Sequence, residues 1–406
     1  MTLTQYGDYF YLYILMISLI PAIILGLLQK PIKYYGLFLS VVMIVAIMGV
    51  RFDNINNISL SMKGIYHAIL DDKIQIVLFL IFLIGEIILI KGYFEIRKKT
   101  DNKYLYYSVL FSSMLPIIIL KITPLTKLGT IGFIGLSYLN FKAIQMIIEI
   151  YDKTITELSI LNTLYFFLFF PTLSSGPVDR SRRFNEDIEK KISRKEYVND
   201  YLISGCEHIF RGFLYKFVIS VIISTLWMNK IPTQVTFINS LNYMYAYSLY
   251  LFFDFAGYSA FAVGTSYILG IRAPENFNKP FLSKDMKEFW NRWHISLSKW
   301  FGDYIYSRFV LNSMRKKRFK NRIIASHVGQ MITMGIMGFW HGFEVFYIIY
   351  GLYQGAALVF TDMYQRKSKF YKAHKKEKWF QYVQIIITFH IACFGLLIFS
   401  GYLFTK

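Results

Sequence analysis

The chain has 406 residues, 55% hydrophobic and 19% aromatic, with a formal net charge of +20. Residues 10–28 carry no charge at all, and a run of that length crosses the hydrocarbon core as a helix, which excludes an ordinary soluble domain. The basic residues gather between apolar runs, so the charge reads as membrane topology and no nucleic-acid partner is expected.

Further apolar runs fall near 35–50, 74–90, 104–120, 131–148, 209–227, 237–270, 328–343, 345–361 and 382–404. Lipid offers backbone groups no hydrogen-bond partner, so these runs are expected to be helices. The predicted fold is an all-α polytopic membrane protein of about 10–12 transmembrane helices with re-entrant segments. No repeat or linker divides it, so residues 1–406 read as a single integral membrane domain.

Asp8 precedes the first run, no Lys or Arg does, and no small-residue cleavage site follows. The run is therefore expected to remain as a span rather than to serve as a signal peptide. Five Lys/Arg at 91–103 and seven in each of 180–195, 308–322 and 366–378 place those segments in the cytoplasm. The balanced segment 51–73 and the charge-poor 122–130 and 228–236 then lie outside, as does the N-terminus. Between 122–130 and 180–195 stand two apolar stretches, 131–150 and 158–176, one crossing too many. The second is expected to be re-entrant, with FFLFFPTLSSGPVDR turning around Pro171, Gly176 and Pro177. Irregular backbone at membrane depth needs cover or a cavity, so a cavity is expected beside residues 171–179, with Pro171, Ser174 and Ser175 among its candidate lining.

Asp254 interrupts the run at 237–270, where it either lines a cavity or fixes a helix contact. The segment 271–327 has no clean span and is basic throughout, so it is expected to be a cytoplasmic-side excursion. Within it, FLSKDMKEFWNRWHISLSKWFGDYIYSRF predicts one amphipathic helix, capped by Ser283 with Asp285 in its first turn. At about 100° per residue, Asp285, Glu288, Arg292, Lys299 and Asp303 face one way and Phe289, Trp293, Trp300 and Tyr304 the other. His294 aligns with Trp290, Asn291, Leu297, Ser298 and Phe301 and points into protein, while the tryptophans anchor the helix at the interface. Interfacial anchoring alone accounts for the aromatic and charged residues but not for an inward histidine.

Next, FVLNSMRKKRFKNR at 309–322 sets apolar Phe309, Val310, Leu311 and Met314 beside Arg315, Lys316, Lys317 and Arg318. Such a patch suits an acidic protein partner or anionic membrane lipids. In VGQMITMGIMGFWHGF at 328–343, Gly335, Gly338 and Gly342 permit close helix packing. His341 stands beside Trp340 in this run. An ionisable residue in a span is a functional-site candidate, and imidazole suits general-base work on a hydroxyl. His67, His208, His327, His374 and His390 read as structural or surface residues, and Cys206 and Cys393 as free thiols. No metal-ligand spacing, phosphate loop or nucleophile elbow is present, and no metal is expected.

Five stretches taken together resemble the membrane-bound O-acyltransferases, in that family's order. They are FFPTLSSGPVDRSRRF (169–184), YLFFDFAGYSAFAVGTSYILGI (250–271), PENFNKPF (274–281), FWNRWHISLSKWFGDYIY (289–306) and MGFWHGF (337–343). The resemblance implies a ring of helices around a central tunnel, with the essential histidine at His341 and a second at His294. Asp254, Trp290, Asn291, Ser298, Trp340, Pro171, Ser174 and Ser175 are then candidates for the tunnel wall. The most similar branch moves D-alanine from a thioester on the phosphopantetheine arm of a small acidic, DltC-like carrier protein. The acceptor is a lipoteichoic acid hydroxyl, with a DltD-like membrane protein assisting. No bound cofactor is implied, since the arm arrives with the donor, and the 309–318 patch becomes a carrier-docking candidate. Two other readings stay open: an envelope polysaccharide O-acetyltransferase of the same fold, and a non-catalytic transporter or flippase.

Overall fold

The computed structural model describes residues 5–7, 9–49, 73–122 and 133–404. The connection 51–72 with His67, and 123–130, whose placement outside rested on charge, lie beyond these residues. Described residues are overwhelmingly helical, with one isolated antiparallel bridge between Phe277 and Trp293. In chain order come α1 Tyr9–Leu27, α2 Lys33–Gly49, α3 Lys73–Arg97, α4 Lys103–Ile122, α5 Leu136–Tyr151, α6 Ile160–Leu168 and α7 Ser181–Glu189. Helix α8 spans Arg194–Lys230 and widens into π-type turns at Tyr197–Leu202, Leu214–Ile219 and Ile223–Trp227. Then follow α9 Phe237–Ile268, α10 Met286–Trp290, α11 Ile295–Phe301, α12 Ser307–Arg315, α13 Arg322–His341, α14 Val345–Lys367, α15 Lys369–His374 and α16 Lys378–Phe399.

Among the described residues, α1, α3, α4, α8, α13, α14 and α16 are long and apolar enough to cross a membrane, and α2 is a shorter apolar helix. Their outward faces carry side chains such as Phe38, Ile81 and Ile88, more than 60% exposed, a surface that lipid suits and water does not. The protein is a multi-pass, all-α membrane protein.

By internal contacts the chain forms two compact units: Met1–Arg211 with Tyr258–Pro274, and Gly212–Gly257 with Glu275–Lys406. At the heart of the first, α5 buries all but two of its sixteen residues. Its polar members Lys142, Gln145 and Glu149 recur at helical spacing and so share a face. That face serves the last turn of α6 and the irregular chain after it. The ammonium of Lys142 donates to the carbonyl of Phe166 at 2.8 Å and to Thr172 Oγ1 at 3.1 Å, and Gln145 Nε2 donates to the carbonyl of Asp179 at 2.8 Å. Gln5 Nε2 reaches the carbonyl of Phe170 at 2.5 Å. The stretch 158–176 is thus a nine-residue helix followed by a 3-10 turn at Phe170–Thr172, not a second span. Side chains replace the ladder that the broken helix lacks. Gly176 sits where a β-carbon would lie 2.5 Å from the carbonyl of Pro171.

In the second unit α13 and α14 form a tight antiparallel hairpin. A β-carbon on Gly338 would lie 2.5 Å from the carbonyl of Tyr347 and 3.1 Å from Gly351 Cα, and one on Gly351 would lie 2.5 Å from the carbonyl of Met334. Of the three glycines expected to allow packing, Gly338 does so. Gly335 faces open space, and Gly342 abuts the Tyr347 ring.

Candidate active site

The single amphipathic helix predicted within 281–309, from its cap at Ser283, is broken at its histidine. Helix α10 ends at Trp290, α11 begins at Ile295, and His294 between them has φ 45° and ψ 51°. This is the left-handed region, unfavourable for a residue with a β-carbon. The N-cap of α10 is Asp285, whose carboxylate accepts from Glu288 N at 2.8 Å. The expected cap, Ser283, instead donates its hydroxyl to the carbonyl of Pro280 at 2.6 Å.

The cause of the break lies in the segment just upstream. Asn278 N donates to the carbonyl of Arg292 at 3.0 Å, and Ile295 N donates to the carbonyl of Asn276 at 2.9 Å. Ser296 gives both its N–H, at 3.3 Å, and its hydroxyl, at 2.5 Å, to Asn276 Oδ1. These bonds compete with the i to i−4 pattern that a continuous helix would need.

The turn also regroups the side chains. His294 is 6% exposed, and Trp290, Trp293 and Trp300 are 7, 5 and 3% exposed. The tryptophans therefore build the core and do not anchor an interfacial helix. Asn291, expected on the face of His294, is exposed, while Ser298 is half-buried and donates to the carbonyl of Trp293 at 3.2 Å. Phe255 meets the His294 ring edge-on with centroids 4.8 Å apart. Trp290 Nε1 donates to Gln354 Oε1 at 3.3 Å, tying α10 to α14.

His341 is the last residue of α13, in the same compact unit. Its ring is surrounded by Trp340 at 4.7 Å, Phe399 at 4.9 Å, Tyr347 at 5.9 Å and Tyr350 at 6.2 Å between centroids. The two imidazoles interact electrostatically. Burial, with a further contribution from His341, pushes the His294 pKa down to about 3, so that ring is neutral near pH 7. A neutral imidazole at His294 offers a lone pair or a hydrogen-bond donor without adding charge, which suits work on a hydroxyl in a dry site.

Asp254 accepts from Lys216 Nζ on α8 at 2.7 Å. One turn away, a β-carbon on Gly257 would lie 2.7 Å from Lys216 N. Of the two roles weighed for Asp254, the helix contact is the one seen. Pro171, Ser174 and Ser175 belong to the first unit. There Ser174 Oγ donates to Gln5 Oε1 at 2.6 Å and lies 2.8 Å from Tyr258 Oη.

In the basic patch, Leu311 and Met314 are 57% and 39% exposed, while Val310 is buried at 7%. Val310 packs toward Gly329, where a β-carbon would lie 3.1 Å from its Cγ2. Phe309 is half-buried near Phe319, and Arg315, Lys316, Lys317 and Arg318 are exposed. Lys317 turns the chain with φ 50°, letting Arg318 N close on the carbonyl of Ser313 at 3.0 Å. Val310 is thus core, and the outward patch is Leu311, Met314 and four cations.

The remaining described histidines have polar partners of their own. His208, His374 and His390 bond through Nδ1 to the carbonyl four residues earlier, and His327 Nε2 meets Asp362 at 2.8 Å. Two residues escaped the sequence reading. Lys142 had a signal, an ionisable group inside an apolar run; Asn276 had none, since its partners lie across a turn that periodicity hides.

The family model of the membrane-bound O-acyltransferases matches residues 32–404. A teichoic acid D-alanyltransferase of Bacillus subtilis is 41% identical, covering 98% of each chain. One of Streptococcus thermophilus is 39% identical, covering 100% of this chain and 97% of the relative. A probable alginate O-acetylase of Pseudomonas aeruginosa is 33% identical over 55% of this chain and 41% of its own. With its family motifs spread along one all-helical membrane chain, and its two histidines in one compact unit, the chain belongs to the membrane-bound O-acyltransferase family and is an acyltransferase.

Proposed function

We propose that this protein transfers D-alanine from a thioester on the phosphopantetheine arm of an acidic carrier protein to a hydroxyl of lipoteichoic acid. The observation that carries the reading is similarity over nearly the whole chain to two teichoic acid D-alanyltransferases. The acetylase likeness is weaker and covers about half the chain. In the reaction the thioester C–S bond breaks, an ester C–O bond forms, and the proton of the hydroxyl passes by way of a base to the departing thiolate. His341 serves as that base, and His294, held neutral, donates or accepts a hydrogen bond at the same centre. The thioester brings a good leaving group, so the protein has chiefly to align the hydroxyl and exclude water. Trp290, Ser298 and Trp340 wall the reaction centre in the second unit.

The carrier docks on the cytoplasmic side at Leu311 and Met314, its acidic surface drawn by Arg315, Lys316, Lys317 and Arg318. The N-terminus and the acceptor are outside, where a DltD-like protein assists. No cofactor is bound beyond the arm that the carrier supplies.

The test is transfer of labelled D-alanine from loaded carrier in reconstituted vesicles. His341→Ala and His341→Gln should each lower the rate by about 100-fold or more, the scale for losing a positioned acid-base group. Transfer at the wild-type rate in either variant would end the proposal, and it is also what a transporter reading expects. Glutamates at 315–318 should raise the KM for carrier and leave the turnover of bound carrier intact; an unchanged KM would refute the docking site.

A further inference from the structure

We infer that Asn276 is a positioning residue for the acyl transfer: it holds the left-handed turn that presents the His294 ring, and it acts through that ring alone. The inference rests on the part proposed above for His294.

Three hydrogen bonds from one side of the turn end on Asn276. Its carbonyl takes Ile295 N, and its Oδ1 takes both Ser296 N and Ser296 Oγ. Ile295 and Ser296 are the first residues of α11, whose opening N–H groups have no partner within the helix. His294 stands at the N-cap position, yet the cap bonds come from Asn276, eighteen residues upstream. A side chain that capped its own helix would be tied to the helix end; delegating the cap to Asn276 lets the imidazole turn toward Phe255 and the His341 site.

The arrangement is braced on both sides of His294. On the near side Phe277 bridges Trp293, and Asn278 N holds the carbonyl of Arg292. Asn276 and Ser296 are 0% and 4% exposed, so water does not readily replace a lost bond. Left-handed backbone at a histidine persists only where its surroundings impose it. With Oδ1 removed, the first turn of α11 loses two of its three ties, and the backbone at His294 is free to relax toward the right-handed region. The ring then swings away from the reacting hydroxyl by an ångström or more. Displacement on that scale is enough to slow a positioned reaction about 100-fold.

The experiment is a double-mutant cycle on the full chain in lipid vesicles, with loaded carrier as donor. Asn276→Ala is expected to lower kcat about 10- to 100-fold and to leave the KM for carrier within about twofold. Asn276→Asp, which keeps the acceptor oxygen, should recover most of that loss. In a His294→Ala background, Asn276→Ala should cause no further decrease. Additive losses, or a wild-type kcat for Asn276→Ala where His294→Ala is impaired, would overturn the inference. Should Asn276→Ala fail to fold, Ser296→Ala removes the matching donor and takes its place in the cycle. If His294→Ala itself transfers at the full rate, the proposed part of His294 fails instead. The rate of His294 carbethoxylation, read by mass spectrometry, then decides for the turn. Faster modification in Asn276→Ala than in wild type upholds it, and an equal rate overturns it.

Discussion

The α13–α14 hairpin carries His341 at its end, and two glycines one turn apart give opposite predictions for the same substitution. In Gly338→Ala the added methyl would sit 2.5 Å from the carbonyl of Tyr347 and 3.1 Å from Gly351 Cα. Both obstacles are backbone, so no side chain can rotate away. The helices must part by roughly 1 Å, and overpacking of this kind costs about 1–3 kcal/mol. In Gly335→Ala nothing lies within 4 Å of the new atom, and alanine gains about 0.5–1 kcal/mol of helix preference over glycine. Thermal unfolding of the purified protein in detergent should therefore show a lower midpoint for Gly338→Ala and an equal or higher one for Gly335→Ala. Since Gly338 is one turn before His341, the first variant should also lose D-alanyl transfer while the second keeps it. Equal midpoints for the two variants would refute the close backbone contact and the placement of His341 that depends on it.

The Lys216–Asp254 pair is partly buried, so Lys216→Met should cost about 1–3 kcal/mol by leaving a carboxylate without its cation. Adding Asp254→Leu should restore most of that stability, and thermal midpoints unaffected by Lys216→Met would contradict the pairing. For His294 the sign follows from its lowered pKa, about 3, against about 6.5 for an exposed imidazole. The unfolded chain takes up the proton first, so the stabilisation is complete above pH 6.5 and is lost as pH falls toward 3. Between pH 7 and 5 the wild type should lose about 2 kcal/mol that His294→Gln does not, seen as a steeper fall of its thermal midpoint. His294→Gln should also lower the transfer rate without moving any inflection between pH 5 and 8, because His294 does not titrate there. An inflection that vanishes in that variant would show that it does.

Much of the architecture was legible from one-dimensional signals. Apolar runs gave the helices because lipid leaves backbone groups no other partner, and the excess apolar stretch at 158–176 announced a broken element through Pro171, Gly176 and Pro177. His341 was visible as an ionisable residue in a span, and the cationic residues at 315–318 as a charged block. Helical periodicity failed at His294, because it assumes that each N–H is bonded four residues back. Asn276 and Asn278 take over those bonds from outside the pattern, so Asn291 parts from His294 and three tryptophans go inward. Val310 reads in sequence as part of one apolar patch with Phe309, Leu311 and Met314, whereas Gly329 leaves room for it in the core.

The sequence by itself determined that the chain crosses the membrane as helices and that two histidines were the groups to watch, since burial of charge and backbone in lipid is costly enough to be read residue by residue. The tertiary structure alone decided how His294 is presented and where α13 can approach α14. Those outcomes depend on hydrogen bonds and contacts between residues far apart in the chain, whose energies no local pattern records.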